Sequence, residues 1–206
     1  MAVIPFPGPR RGEVPAPPAA APPEPAPAAA PAARLYVVAE PVLAPDDDEA
    51  LRRLRAHYHP AEADRIGPHV TLVFGADVAG RDELAAALTA AAGATRPFWF
   101  VLQRLRVDAP PGAGRAWLYA EPDEGTEEFR GLYEALNDPM SPPAGSAKSY
   151  EPHLTLGVFA SPIEAERIAR IVETRIVPMH GRIEALRLVE VSAGGLVEIG
   201  RYPLGG

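Results

Sequence analysis

Cysteine is absent from the 206 residues, which excludes disulfides, thiolate metal sites and thiol nucleophiles. Histidine, hydroxyl and carboxylate side chains are left to carry any chemistry. No apolar run approaches the roughly 20 residues that a membrane-spanning helix needs, so the sequence predicts a soluble protein with no membrane partner. Positive charge is scarce: 20 Lys and Arg stand against 27 Asp and Glu, a formal net charge of −7. A grip on long nucleic acid draws on many basic contacts to phosphates, so no extended nucleic-acid surface is expected. A small anionic ligand needs only a few positive groups placed locally. A secretory start is also lacking, because prolines interrupt the N-terminus from Pro5 onward, and the expected location is the cytoplasm.

Proline and alanine are abundant, above all in residues 1–33, where Arg10, Arg11, Glu13 and Glu24 are the charges. Proline blocks helix interiors, and alanine offers too little surface to offset ordering entropy. The arm is therefore expected to be a disordered tether, with a polyproline-binding partner as the alternative reading. Folded sequence is expected from Arg34 to the C-terminus as one globular unit, with lobes at approximately 34–107 and 116–206.

Within that unit, Leu35 to Ala39 reads as a buried strand. A helix follows from the Asp46-Asp47-Asp48 cluster through Leu51 and Leu54, with its stop at Pro60. His69 to Phe74 is a second strand, Asp82 to Ala92 a second helix, and Phe98 to Val107 and Ala116 to Ala120 two strands around a Pro110-Pro111-Gly112 turn. Thr126 is expected to cap a helix carrying Phe129, Leu132, Tyr133 and Leu136, and a Pro/Ser/Gly-rich loop runs from Asp138 to Tyr150. His153 to Phe159 is the next strand. Ser161-Pro162-Ile163-Glu164 then opens a helix with a capping box, and Ile168, Ile171 and Val172 give it a core face. Ile183 to Val191 and Leu196 to Ile199 close the chain around Gly194-Gly195.

The order strand, helix, strand, helix, strand thus occurs twice, with one extra strand at the end. Inside it, Pro68-His69-Val70-Thr71-Leu72 and Pro152-His153-Leu154-Thr155-Leu156 match at every position but the middle one. Both copies fall between the two helices of their half. Related halves would pair about a pseudo-twofold axis and bring the equivalent strands together across a cleft.

Alternate residues of a strand share a face, so His69 and Thr71 point one way and Val70 and Leu72 the other; His153 and Thr155 repeat the pattern. Imidazole titrates near neutrality, so one ring can accept a proton while another donates one. Two rings flanking a phosphate suit in-line displacement, with Thr71 and Thr155 donating to the non-bridging oxygens. No metal and no cofactor is called for. One His-x-Thr alone would be read as structural; a second copy in a matched position points to chemistry.

At these residues the sequence resembles the two-histidine phosphoesterase superfamily, including the 2′-5′ RNA ligase and cyclic phosphodiesterase group. The resemblance runs from about Arg34 to the C-terminus. It implies an α+β fold, bilobal and internally duplicated, with antiparallel-rich sheets flanked by helices around a central cleft. It also implies His69 and His153 as catalytic residues and Thr71 and Thr155 as phosphate-binding ones. The expected activity is metal-independent opening of 2′,3′-cyclic phosphates to 2′-phosphates at RNA ends or on small nucleotides, with reversible 2′-5′ ligation chemically permitted. The rival reading is a non-catalytic nucleotide or RNA-end-binding module.

Tyr150 and Lys148, just before the second motif, are candidate substrate contacts, one for stacking and one for a phosphate. Trp117 and Phe98 are strand aromatics read as core before cleft wall. His57 and His59 end a helix, where an imidazolium suits the dipole, and without a third ligand they are not read as a zinc site. His180 is placed in a turn with no role. Arg65 and Arg115 are read as surface charges able to help neutralise an anion.

Overall fold

A computed structural model describes residues 32–137 and 150–205. In chain order the elements are β1 (Arg34–Leu43), α1 (Pro45–Tyr58), α2 (Pro60–Ala63), β2 (Val70–Asp77), α3 (Arg81–Ala94), β3 (Phe98–Asp108), β4 (Ala116–Pro122), α4 (Thr126–Leu136), β5 (Leu154–Phe159), α5 (Pro162–Arg175), β6 (Met179–Ser192) and β7 (Gly195–Pro203). Every strand pairing is antiparallel. The fold is the expected α+β class.

The long strand β6 organises the sheet. One edge pairs with β1 along most of its length; the other takes β3 at Met179–Ile183 and β7 at Ala185–Ser192. Two four-stranded sheets result, β2-β1-β6-β7 and β5-β4-β3-β6, sharing β6 at one end and touching at the other through the single pair Val70–Leu154. The third strand of each repeat thus lies beside the first strand of the other repeat. The helices cross over in the same way: α3 and α4 pack on the first sheet, α1 and α5 on the second. Neither half can bury its own apolar surface alone, and the core is one continuous cluster that includes Leu35, Leu72, Phe100, Leu118, Phe129 and Leu154.

Local chemistry accounts for most boundaries. Asp46, Asp47 and Asp48 occupy the first turn of α1, and the Ser161 side chain accepts from the Glu164 backbone N–H at the start of α5. Gly157 lets α1 approach β5, since a Cβ there would stand 2.7 Å from Cβ of Tyr58.

Three expectations need correction. Thr126 is the first residue of α4 and not its cap: Gly125, with φ +81°, holds the cap position, and the Thr126 hydroxyl donates back to the carbonyls of Pro122 and Asp123. The stop of α1 before Pro60 is as expected, and Pro60 goes on to open the short α2, a place that suits its fixed φ. His180 lies in β6, which starts at Met179, because β3 supplies a partner for residues 179–183. Ile171 is 43% exposed; the buried stripe of α5 is Ala165, Ile168 and Val172.

Candidate active site

Both motif histidines sit one residue before their strands begin, each after a proline that keeps the preceding backbone extended. The His69 Nδ1–H donates to the Gly67 carbonyl at 2.9 Å, and the His153 Nδ1–H donates to the Glu151 carbonyl at 2.8 Å. A carbonyl only accepts, so Nδ1 carries the proton in each ring and Nε2 keeps a lone pair. The two imidazoles are therefore fixed in the same tautomer by the same bond, made to the residue two places back.

The Val70–Leu154 pair sets their relation. Continuing its antiparallel register by one residue brings His69 opposite Thr155 and Thr71 opposite His153, all on the face away from Val70, Leu72, Leu154 and Leu156. The histidines then lie on one diagonal and the threonines on the other, a spacing of roughly 7–8 Å that admits a phosphate between the rings.

Burial lowers the pKa of both histidines against the opposing effect of the carbonyl bonds, and a nearby arginine adds to the lowering in each case, Arg55 for His69 and Arg106 for His153. Both rings are neutral at rest near pH 7, and a bound anion between them favours the return of one proton. Arg55 is 2% exposed; its Nη1 donates to the Ile66 carbonyl at 3.1 Å, just before the first motif, and its Nε has no partner among the described residues.

The surroundings of the two histidines differ. His153 lies against Tyr119, ring centroids 4.2 Å apart, and the Arg106 guanidinium is 4.9 Å from the Tyr119 centroid. Arg106 is in turn bonded to Glu121 and stands 3.8 Å from Asp108 and from Glu151. Arg115, just before β4, lies 5.6 Å from the ring centroid of Trp117 in that strand. His69 and Thr71 instead line a cavity of about 380 Å³ with Tyr36 and Val38 of β1, Phe74 of β2, Val189 and Val191 of β6 and Leu196, with Glu62 and Arg65 also on its wall.

Of the expected site residues, His69, Thr71, His153 and Thr155 come together. Tyr150 takes a different place: its hydroxyl donates to the Thr71 carbonyl at 2.8 Å, and its ring stacks on Tyr133 at 4.0 Å and 3°. With one face covered and the hydroxyl engaged, it positions β2 rather than offering a free ring to a base. Asn137 assists by donating to the Leu72 carbonyl at 2.9 Å. Lys148 lies outside the described residues. Phe98 is buried against Phe129, in the core as expected. His57 and His59 close α1, and no group of three metal-ligating side chains occurs among the described residues.

Tyr36, Phe74, Arg106 and Tyr119 were not singled out from the sequence, yet a second repeat pointed to some of them. Arg34-Leu35-Tyr36-Val37-Val38-Ala39-Glu40-Pro41 aligns with Arg115-Ala116-Trp117-Leu118-Tyr119-Ala120-Glu121-Pro122, sharing Arg, Ala, Glu and Pro. The structure gives the alignment meaning: Val38 pairs with Arg187 and Tyr119 with Arg106, while Arg187 bonds Glu40 as Arg106 bonds Glu121.

The model of the 2′-5′ RNA ligase superfamily matches residues 43–195 of this sequence. The chain belongs to that superfamily. Among solved structures, TT0787 of Thermus thermophilus is 21% identical with a TM-score of 0.55, over 84% of this chain and 98% of its own. E. coli LigT complexed with 3′-AMP is 18% identical with a TM-score of 0.54, over 84% and 98%. Usb1 of Kluyveromyces marxianus is 13% identical with a TM-score of 0.51, over 82% and 97%. At these identities the likeness shows a shared fold. No curated protein matches the sequence. Among the described residues no helix is long and apolar enough to cross a membrane.

Proposed function

We propose that this superfamily member is a phosphodiesterase that opens 2′,3′-cyclic phosphates to 2′-phosphates on small nucleotides or short RNA ends. The observation that carries the reading is the matched pair of imidazoles, each with Nδ1–H tied to a carbonyl, at the start of paired strands whose register sets each histidine opposite a threonine. One Nε2 takes a proton from the attacking water; the other, protonated, delivers its proton to the leaving 3′ oxygen as the 3′ P–O bond breaks. Thr71 and Thr155 donate to the non-bridging oxygens, where charge grows towards the transition state. Acid, base and oxyanion donors all come from the chain, so the chemistry needs no metal.

Short substrates fit the electrostatics. Arg106 is engaged by three carboxylates and Arg104 stands 4.0 Å from Asp123, so the second sheet presents paired charges and not a basic track. The test is incubation, with EDTA present, with each of the four nucleoside 2′,3′-cyclic phosphates, resolving 2′- from 3′-phosphate products. Release of the 2′-phosphate that is lost in both His69→Ala and His153→Ala is expected. Nucleotide binding without turnover in the wild type would replace the enzyme by a nucleotide- or RNA-end-binding module.

A further inference from the structure

We propose that a second cavity, about 170 Å³ and bounded by Arg52, Arg55, Asp64, Gly67 and Pro68, binds a small free oxyanion of the phosphate kind. It shares no lining residue with the cavity beside His69, and it reaches the first motif from the turn that leads into it.

The first argument is a charge without a counter-charge. Arg55 is 2% exposed and is the one charged side chain buried among the described residues. A buried cation is ordinarily paired, because burial removes the water that stabilises it. Among the described residues no carboxylate stands within ion-pair distance of Arg55. Its Nη1 donates to the Ile66 carbonyl at 3.1 Å, and its Nε has no acceptor there. Burial pushes its pKa down; Glu62 opposes the shift and Arg52 adds to it.

The second argument is convergence. Arg52, three residues earlier on α1, brings another guanidinium to the same wall, and its Nη1 would stand 3.2 Å from a Cβ placed on Gly67. The absence of a side chain at Gly67 is what admits it. Arg52 Nε donates to Asp48 at 2.7 Å, which fixes the group in place. Two guanidiniums on one small cavity repel each other; an oxyanion that accepts from both removes the repulsion and gives Arg55 its missing acceptor. Asp64 is the opposing charge in the lining, so the walls carry two positive groups and one negative.

Size bounds the ligand. With about 30 Å³ as the share of one water in the liquid, the cavity takes a tetrahedral oxyanion and a few waters. It lies below the roughly 300–1,000 Å³ of pockets that enclose larger organic ligands. Position gives the site a consequence. The Ile66 carbonyl accepts from Arg55 and the Gly67 carbonyl accepts from His69, so an anion held by Arg55 braces the turn that orients the first imidazole.

The test is calorimetric titration of the full chain with inorganic phosphate at constant ionic strength, repeated on three variants at exposed positions of the cavity wall. Asp64→Asn removes the repelling carboxylate and is expected to lower Kd at least threefold. Arg52→Ala is expected to raise it at least fivefold. Ala56→Glu offers the guanidiniums a tethered carboxylate, and is expected to abolish this binding and to raise Tm in the absence of phosphate. His153→Ala, across the cleft, is expected to leave the Kd unchanged. No binding by the wild type overturns the site. So does a Kd that none of the three wall variants moves, or binding that disappears in His153→Ala, since the phosphate is then held elsewhere.

Discussion

The two sheets share a scaffold and differ in what they turn towards the cleft. Each has an X-Pro-His turn with Nδ1–H bonded to the residue two back, a threonine two residues on, and an arginine–glutamate pair joining equivalent strands. Around this frame the first sheet is apolar and hollow at Tyr36, Val38, Phe74 and Val191, and the second is filled by Tyr119 and edged by Arg106 and Trp117. Proton transfer at two ends of one displacement asks the same thing of both halves. On the proposed reading, recognition of an asymmetric substrate does not, and the two halves differ in these surroundings and not in the frame.

The symmetric part can be broken first. If Thr71 and Thr155 donate to the phosphate as proposed, Thr71→Val and Thr155→Val are each expected to lower kcat about 10²-fold, by similar factors. Steady-state kinetics on the same cyclic phosphate checks this, and a loss confined to one variant would mean that a single strand holds the phosphate.

The pH profile comes next. Burial holds both imidazoles below their ordinary value of about 6.5, yet one must be protonated to serve as acid, so the competent fraction of free enzyme shrinks as pH rises. kcat/KM should therefore fall about tenfold per unit above pH 6.5, while the alkaline limb of kcat lies higher because bound anion retains the proton. A kcat/KM profile flat from pH 6 to pH 8 would show that acid and base are not this pair.

A smaller effect separates the approaches to the two motifs. Tyr150 crosses to the Thr71 carbonyl, whereas the corresponding Ile66 has only its own carbonyl to offer, to buried Arg55. Tyr150→Phe should cost about 1 kcal/mol, visible as a Tm lower by about 2–4 °C, without a large change in KM. A large rise in KM with unchanged Tm would return Tyr150 to a role in binding substrate.

Smallest of all, a chain shortened to begin at Arg34 is expected to keep its activity and its melting temperature. Loss of either would give the Pro/Ala arm a part in one of the lobes.

The sequence showed the frame more clearly than the walls, and the reason is physical. His-x-Thr after proline is short, polar and doubled, so alternation alone places Thr71 and Thr155 on one face and Val70 and Leu154 on the other. Tyr119 and Val38 sit in apolar-rich strands where composition cannot tell a cleft face from a core face; only pairing with Arg106 and Arg187 reveals it. The crossing of β3 and β6 between repeats was equally hidden, because short antiparallel strands carry no local mark of their partner. Thr126 shows the limit for caps: a threonine at the helix start was read as the cap, but Gly125, with its positive φ, holds that position one place back.

The most direct test of the paired-histidine site compares His69→Ala, His153→Ala and the double variant in one cyclic phosphate assay. If both rings serve a single displacement, each single loss is about 10³-fold and the double variant is hardly slower than the worse single, because groups acting as a unit are not additive. Losses that multiply in the double variant, or a single variant that keeps wild-type kcat, would contradict a shared step across the cleft.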